Sequence, residues 1–107
     1  VADHDYDAAA NYLSIAHTPD QVADAVKALR KATVTTRRAN DILRACGRDG
    51  LPLTDPGVLG ALRKVLKGRE LSPVLIVNGD IADGYHRVSL AYALDAFDDV
   101  PCIIVNL

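Results

Sequence analysis

Val74-Leu75-Ile76-Val77-Asn78-Gly79-Asp80-Ile81-Ala82-Asp83-Gly84-Tyr85-His86-Arg87 is the stretch on which the fold turns. Its first four residues are β-branched or aliphatic and predict a strand. Asn78-Gly79 supplies the central pair of a type I′ turn, and Asp80-Ile81-Ala82 returns as the second strand of a hairpin. Gly84 then bends the chain. From Arg87 to Phe97 there is no Gly or Pro, and Val88, Leu90, Ala91, Tyr92, Leu94 and Phe97 predict a helix apolar on more than one side and therefore buried. A helix starting at this corner leaves the N–H groups of Tyr85, His86 and Arg87 without acceptors, beside an imidazole and a guanidinium, which is a place for an anion.

Working outward, Val100-Pro101-Cys102-Ile103-Ile104-Val105 reads as a last strand, with Pro101 near its start where a missing N–H does least harm. The order strand, helix, strand predicts a right-handed crossover. Upstream, Leu71-Ser72-Pro73 is an extended entry into the hairpin, and residues 5–68 read mostly as helices. Asp5 is a candidate N-cap for a helix with an Ala8, Tyr12, Ile15 stripe ending near His17. Thr18-Pro19-Asp20-Gln21 is a capping box, followed by a Val22, Ala25, Val26, Leu29 stripe. Thr35 or Thr36 can cap a helix bearing Ala39, Ile42, Leu43 and Cys46, which Gly47 stops. Asp55-Pro56 opens another, with Leu59, Leu62, Val65 and Leu66 as its inner face. The expectation is one α+β domain over 1–107, with a helical part at 5–68 and a strand-strand-helix-strand core at 71–107.

At 107 residues and 50% apolar composition the chain supports a single core, built of Ala, Val, Leu and Ile because there is one Phe and no Trp or Met. No apolar run is long enough to span a bilayer and no signal peptide opens the chain. Cys46 and Cys102 have neither metal-ligand nor disulfide spacing, which points to the cytoplasm. The net charge of −2 conceals a polarised distribution. Residues 1–26 carry five acids and no Lys or Arg, residues 27–69 carry eleven Lys and Arg against three acids, and residues 70–107 carry six acids against Arg87 alone. The basic segment 27–69 can serve phosphates or nucleic acid, or its cations can pair with the acidic flanks.

Pro73 to Val105, with Asp83-Gly84-Tyr85-His86-Arg87 at the strand-to-helix corner, resembles the core of the ParB/sulfiredoxin superfamily. Members set this corner against nucleotide phosphates, with Gly-Cys-His-Arg in sulfiredoxin, Gly-Glu-Arg-Arg in ParB, and Asp-Gly-His-His-Arg in ParB-like free-serine kinases. The match is to the last form, and the whole pattern is most similar to small bacterial ParB-like proteins. Tyr85 stands where sulfiredoxin has its reactive cysteine, which argues against sulfinic acid reduction, and no helix-turn-helix follows the corner, which argues against DNA partitioning. The resemblance implies a small ParB/sulfiredoxin-like sheet of β-hairpin, helix and β, and binding of a nucleotide, ATP or CTP, or another phosphate ester. Magnesium and phosphoryl hydrolysis or transfer are compatible with it.

In that site Gly84 would let a phosphate approach without a Cβ in the way, and the N–H groups of Tyr85, His86 and Arg87 would hold its oxygens. Arg87 would grip it with two hydrogen bonds, and His86 would donate a further bond or shuttle a proton. Asp83 would cap the helix or orient His86 in preference to binding magnesium. Lys64, Lys67 and Arg44 are candidate outer phosphate ligands. Asp41 or Glu70 would serve as a base only if the fold brings them to the corner. A competing reading makes the corner purely architectural, with Asp83 as N-cap and Arg87 paired to Asp80 or Asp95. Two other functions fit the same sequence, a nuclease or nucleic-acid binder using residues 27–69 and a non-catalytic protein-interaction module. His4 and His17 are isolated, and no metal-ligand pattern, P-loop or Ser-His-Asp order is present.

Overall fold

The computed structural model describes residues 1–107 and shows an α+β fold. In chain order the elements are α1 (Asp3–Leu13), α2 (Pro19–Lys31), β1 (Thr35–Arg38), α3 (Ala39–Ala45), α4 (Pro56–Leu66), β2 (Val74–Val77), β3 (Asp80–Asp83), α5 (Tyr85–Leu94) and β4 (Asp99–Val105). The sheet order is β1-β4-β2-β3, with β2 and β4 parallel and both edge strands antiparallel to their neighbours. Central β2 is buried along its whole length, which is why Val74 to Val77 carries no polar residue.

Alternation along the inner strands sends side chains to two cores. Leu75, Val77, Ile103 and Val105 meet Tyr6, Ala9 and Leu13 of α1 and Ala25 and Leu29 of α2. Val74, Ile76, Val100 and Cys102 face the other way, against Ala39, Ile42 and Leu43 of α3 and Val88 of α5. The sheet is thus sandwiched between two helical layers, and α4 packs outside α5 through Val58, Ala61 and Leu90. No helix is long and apolar enough to cross a membrane.

Several local expectations hold. Asn78 and Gly79 both have positive φ, at 50° and 74°, as a type I′ turn requires. The Thr18 hydroxyl accepts the Gln21 N–H while the Gln21 side chain accepts the Thr18 N–H. Asp55 accepts the N–H groups of Gly57 and Val58 at the start of α4.

Other expectations are corrected. Residues 35–38 form the edge strand β1 and do not cap a helix. Its Thr-Thr-Arg-Arg sequence suits an edge, where β-branched residues pair on one side and charge deters pairing on the other. No threonine cap is needed for α3, because the N–H groups of Ala39 and Asn40 donate to the carbonyls of Asp98 and Ala96. Helix α1 begins after Ala2, with Asp5 inside its first turn, and ends at Leu13, short of His17. It is rotated from the expected phase, burying Tyr6, Ala9 and Leu13 and leaving Ala8 and Ile15 outside, because Tyr6 and Leu13 bring more apolar area to the sheet. In α4 the buried residues are Val58 and Ala61, while Val65 and Leu66 are exposed. Tyr92, Leu94 and Phe97 are likewise exposed, since α5 stops at Leu94 and turns at Asp95. Strands β3 and β4 flank β2, β3 antiparallel and β4 parallel to it, so α5 does not join a parallel pair directly; the parallel pair is β2 and β4, connected through β3 and α5.

The phase of α1 is directly testable. Leu13→Ala should cost about 3 kcal/mol of unfolding free energy, whereas Ile15→Ala should change it by less than about 0.5 kcal/mol. Urea denaturation of the two variants measures the difference, and equal losses would contradict the observed rotation.

Candidate functional site

The corner is built by three elements. Strand β3 delivers Asp83, Gly84 turns with φ 103°, and α5 starts at Tyr85, its first backbone bond running from the Val88 N–H to the Gly84 carbonyl. The register of β2 against β3 slips between Leu75 and Ile76, a bulge immediately before the turn. A Cβ on Gly84 would lie 2.9 Å from Arg87 Nη2, 3.0 Å from Arg87 Nε and 3.2 Å from the Val74 Cα. A side chain at position 84 would therefore meet the folded-back guanidinium, so the missing Cβ makes room for Arg87 at this turn.

Arg87 is held by carboxylates. Its Nη2 donates to Asp83 Oδ2 at 2.5 Å and its Nη1 lies 3.6 Å from Asp5 Oδ1, while Nε is buried with no acceptor. Neither Asp80 nor Asp95 is its partner. One arm of the fork is engaged by Asp83 and a second faces Asp5, so a phosphate would compete with these carboxylates for a two-pronged grip. Asp83 is taken up by the same pair and neither caps α5 nor orients His86.

Asp5 is 3% exposed. Burial pushes its pKa up, but hydrogen bonding from Ser72, the Arg87 charge, the Ala2 N–H and the His4 charge together bring it below the ordinary carboxylate value.

His86 points away from this cluster. Its Nε2 lies 3.6 Å from Asp55 Oδ2, the carboxylate that caps α4, and its ring rests on Gly57, where a Cβ would come within 2.4 Å of it. Asp55, and not Asp83, is the acid that sets His86. Tyr85 turns away too, since its hydroxyl donates to the Asp49 carbonyl and the Arg48 guanidinium lies 4.8 Å above its ring.

Between α4, the loop that follows it and the α5 corner lies a hollow of about 380 Å³. His86, Gly84, Asp83 and Arg87 line one side, and Lys64 and Arg69 line the other. Of the three outer cations expected from sequence, only Lys64 reaches this space. Lys67 ends α4 and Arg44 lies in the last turn of α3, both exposed and away from the hollow. Of the two candidate acids, Glu70 lines the hollow and Asp41 does not. Arg69, His4, Ser72 and Gly57 join the wall without having been singled out by the sequence.

Elsewhere the basic segment is partly neutralised by its flanks. Arg30 lies 3.5 Å from Asp3 and over the Tyr6 ring, and Arg48 bonds the Tyr12 hydroxyl and lies 3.7 Å from Asp80. Lys64 and Arg69 are in none of the ion pairs of the fold. Burial raises the pKa of both Cys46 and Cys102, so neither is an activated thiol. A larger open groove of about 820 Å³ between α1 and α2 shares no residue with the corner hollow. No family model, curated protein or solved structure matches the chain.

Removing Arg87 leaves two carboxylates without their cation, one of them fully buried. Arg87→Ala should therefore destabilise the fold by about 3 kcal/mol, and Asp5→Asn should recover part of that loss in the double variant. Additive losses in urea denaturation would show that the pair is not coupled. The depressed Asp5 pKa also gives a sign for acid stability. Its contribution is present above the unfolded carboxylate pKa of about 3.9 and is lost as pH falls through the lower folded value. The urea midpoint of the parent should thus fall more steeply below about pH 4 than that of Asp5→Asn.

Proposed function

We propose that the chain is a ParB-like domain that binds a phosphate ester, a nucleotide included, in the hollow between α4 and the N-terminus of α5. One observation carries the reading, namely that Lys64 and Arg69, both without a carboxylate partner, face His86 and the first turn of α5 across a single open space. A phosphate there gains two cations that are free to turn toward it, the positive end of a helix and an imidazole donor. Arg87 belongs to the frame of this site, since its charge is engaged by Asp5 and Asp83. His86 is placed for proton transfer, with Asp55 Oδ2 3.6 Å from its Nε2 to orient the ring. Phosphoryl hydrolysis or transfer would use that proton. ATP or CTP with magnesium remain the nucleotides to try first.

Calorimetric titration of inorganic phosphate, ATP and CTP, each with and without magnesium, tests the reading. Lys64→Ala should weaken binding about tenfold, the worth of one charge-assisted hydrogen bond. Gly57→Ala should act without touching a ligand, since the new methyl displaces the His86 ring. It should lower phosphate affinity while leaving the unfolding midpoint unchanged or slightly raised, as alanine favours the helix. Absence of heat with every phosphorylated compound would overturn the proposal.

A further inference from the structure

We infer that the ligand of this hollow is a phosphorylated polyol without a nucleobase, its phosphate against Lys64, Arg69 and His86 and its hydroxyl groups donating to Glu70. The inference rests on the phosphate reading of the same hollow and narrows it.

Size is the first ground. About 380 Å³ lies near the lower end of the ~300–1,000 Å³ typical of small-molecule sites, and the hollow must hold a phosphate before anything else. Its wall is the second. A base is ordinarily held by stacking on an aromatic face or by apolar side chains. The only apolar side chains at this wall are Ala61 and Leu71, and no Phe or Tyr reaches it. The corner's own aromatic, Tyr85, is turned out, with Arg48 over its ring and its hydroxyl bound to Asp49. The His86 ring is pressed on Gly57 beside Asp55.

Glu70 is the third ground. A carboxylate at a phosphate pocket repels the phosphate but can accept hydrogen bonds from another part of the same ligand. Asp83, the other acid at the wall, has its cation in Arg87, whereas Glu70 has no salt bridge or side-chain hydrogen bond in the fold. An ionised carboxylate is a strong acceptor for hydroxyl donors. A polyol phosphate presents both halves of this pattern, an anion for the cationic side and O–H donors for Glu70.

Ribose 5-phosphate, AMP and CMP separate the possibilities, because they share the sugar phosphate and differ in the base. Calorimetric titration of each, with inorganic phosphate alongside, should show ribose 5-phosphate binding within tenfold of AMP and CMP, or more tightly. Glu70→Ala, an exposed position, should weaken ribose 5-phosphate at least fivefold while leaving inorganic phosphate unchanged or tighter. Binding of AMP or CMP more than tenfold tighter than ribose 5-phosphate would overturn the inference and leave the phosphate site standing. So would a Glu70→Ala variant that binds ribose 5-phosphate as well as the parent does. If none of the four compounds binds, both the inference and the site fall together.

Discussion

The guanidinium of Arg87, enclosed by Asp5 and Asp83, ties together three elements that lie far apart in the chain or meet only at its corner. Asp5 comes from α1, Asp83 ends β3 and Arg87 begins α5. A carboxylate as buried as Asp5 is unfavourable by several kcal/mol unless charge and hydrogen bonds compensate it. The compensation is local and specific: the Arg87 charge, the Ala2 N–H and Ser72. Such a group does more to fix one arrangement than to add net stability, because an α1 turned by one position would leave the carboxylate without its cation. Gly84 belongs to the same constraint, since its hydrogen is what allows the guanidinium to fold back over the turn.

Assigning Arg87 to the frame changes what the corner can offer a ligand. The charges that remain free in the hollow stand on α4 and the loop after it, and α4 is held to the rest of the fold chiefly through Val58, Ala61 and Leu90. That contact buries fewer apolar residues than either core on the sheet, so opening this seam exposes less than parting a helical layer from the strands. His86 is fixed from the α4 side, by Asp55 and by the bare backbone of Gly57, and so reports the position of α4 directly to the start of α5.

The features legible in the sequence were those settled by neighbours along the chain. The Asn78-Gly79 turn, the Thr18 box, the Asp55 cap and the Gly84 corner each involve residues within four positions of one another. Strand β1 was not legible because an edge strand shows no buried face, and Thr-Thr-Arg-Arg reads equally well as a cap and a basic first turn. The phase of α1 depends on which side the sheet lies, and Asp5 looked like a cap because its partner Arg87 is distant in sequence. In the hollow, Lys64 and His86 were foreseen from type and rough position. Glu70 and Gly57 become part of it only through the packing of α4 on α5, which periodicity does not encode.

The charge pattern closes on the same geometry. A chain of net charge −2 does not attract an anion by its overall field. At physiological salt that field is screened beyond about 8 Å, so the groups within one side-chain length of the hollow decide the matter. Of the basic middle segment, Arg30 and Arg48 are drawn off by Asp3 and Asp80 from the acidic flanks. Lys64 and Arg69 are not, although Glu70 and Asp83 stand in the same hollow. Asp83 spends its charge on Arg87, and Glu70 follows Arg69 directly in the chain. The lining therefore holds two cations outside any ion pair beside one carboxylate outside any ion pair, a set matched by a ligand that carries both an anion and hydrogen-bond donors.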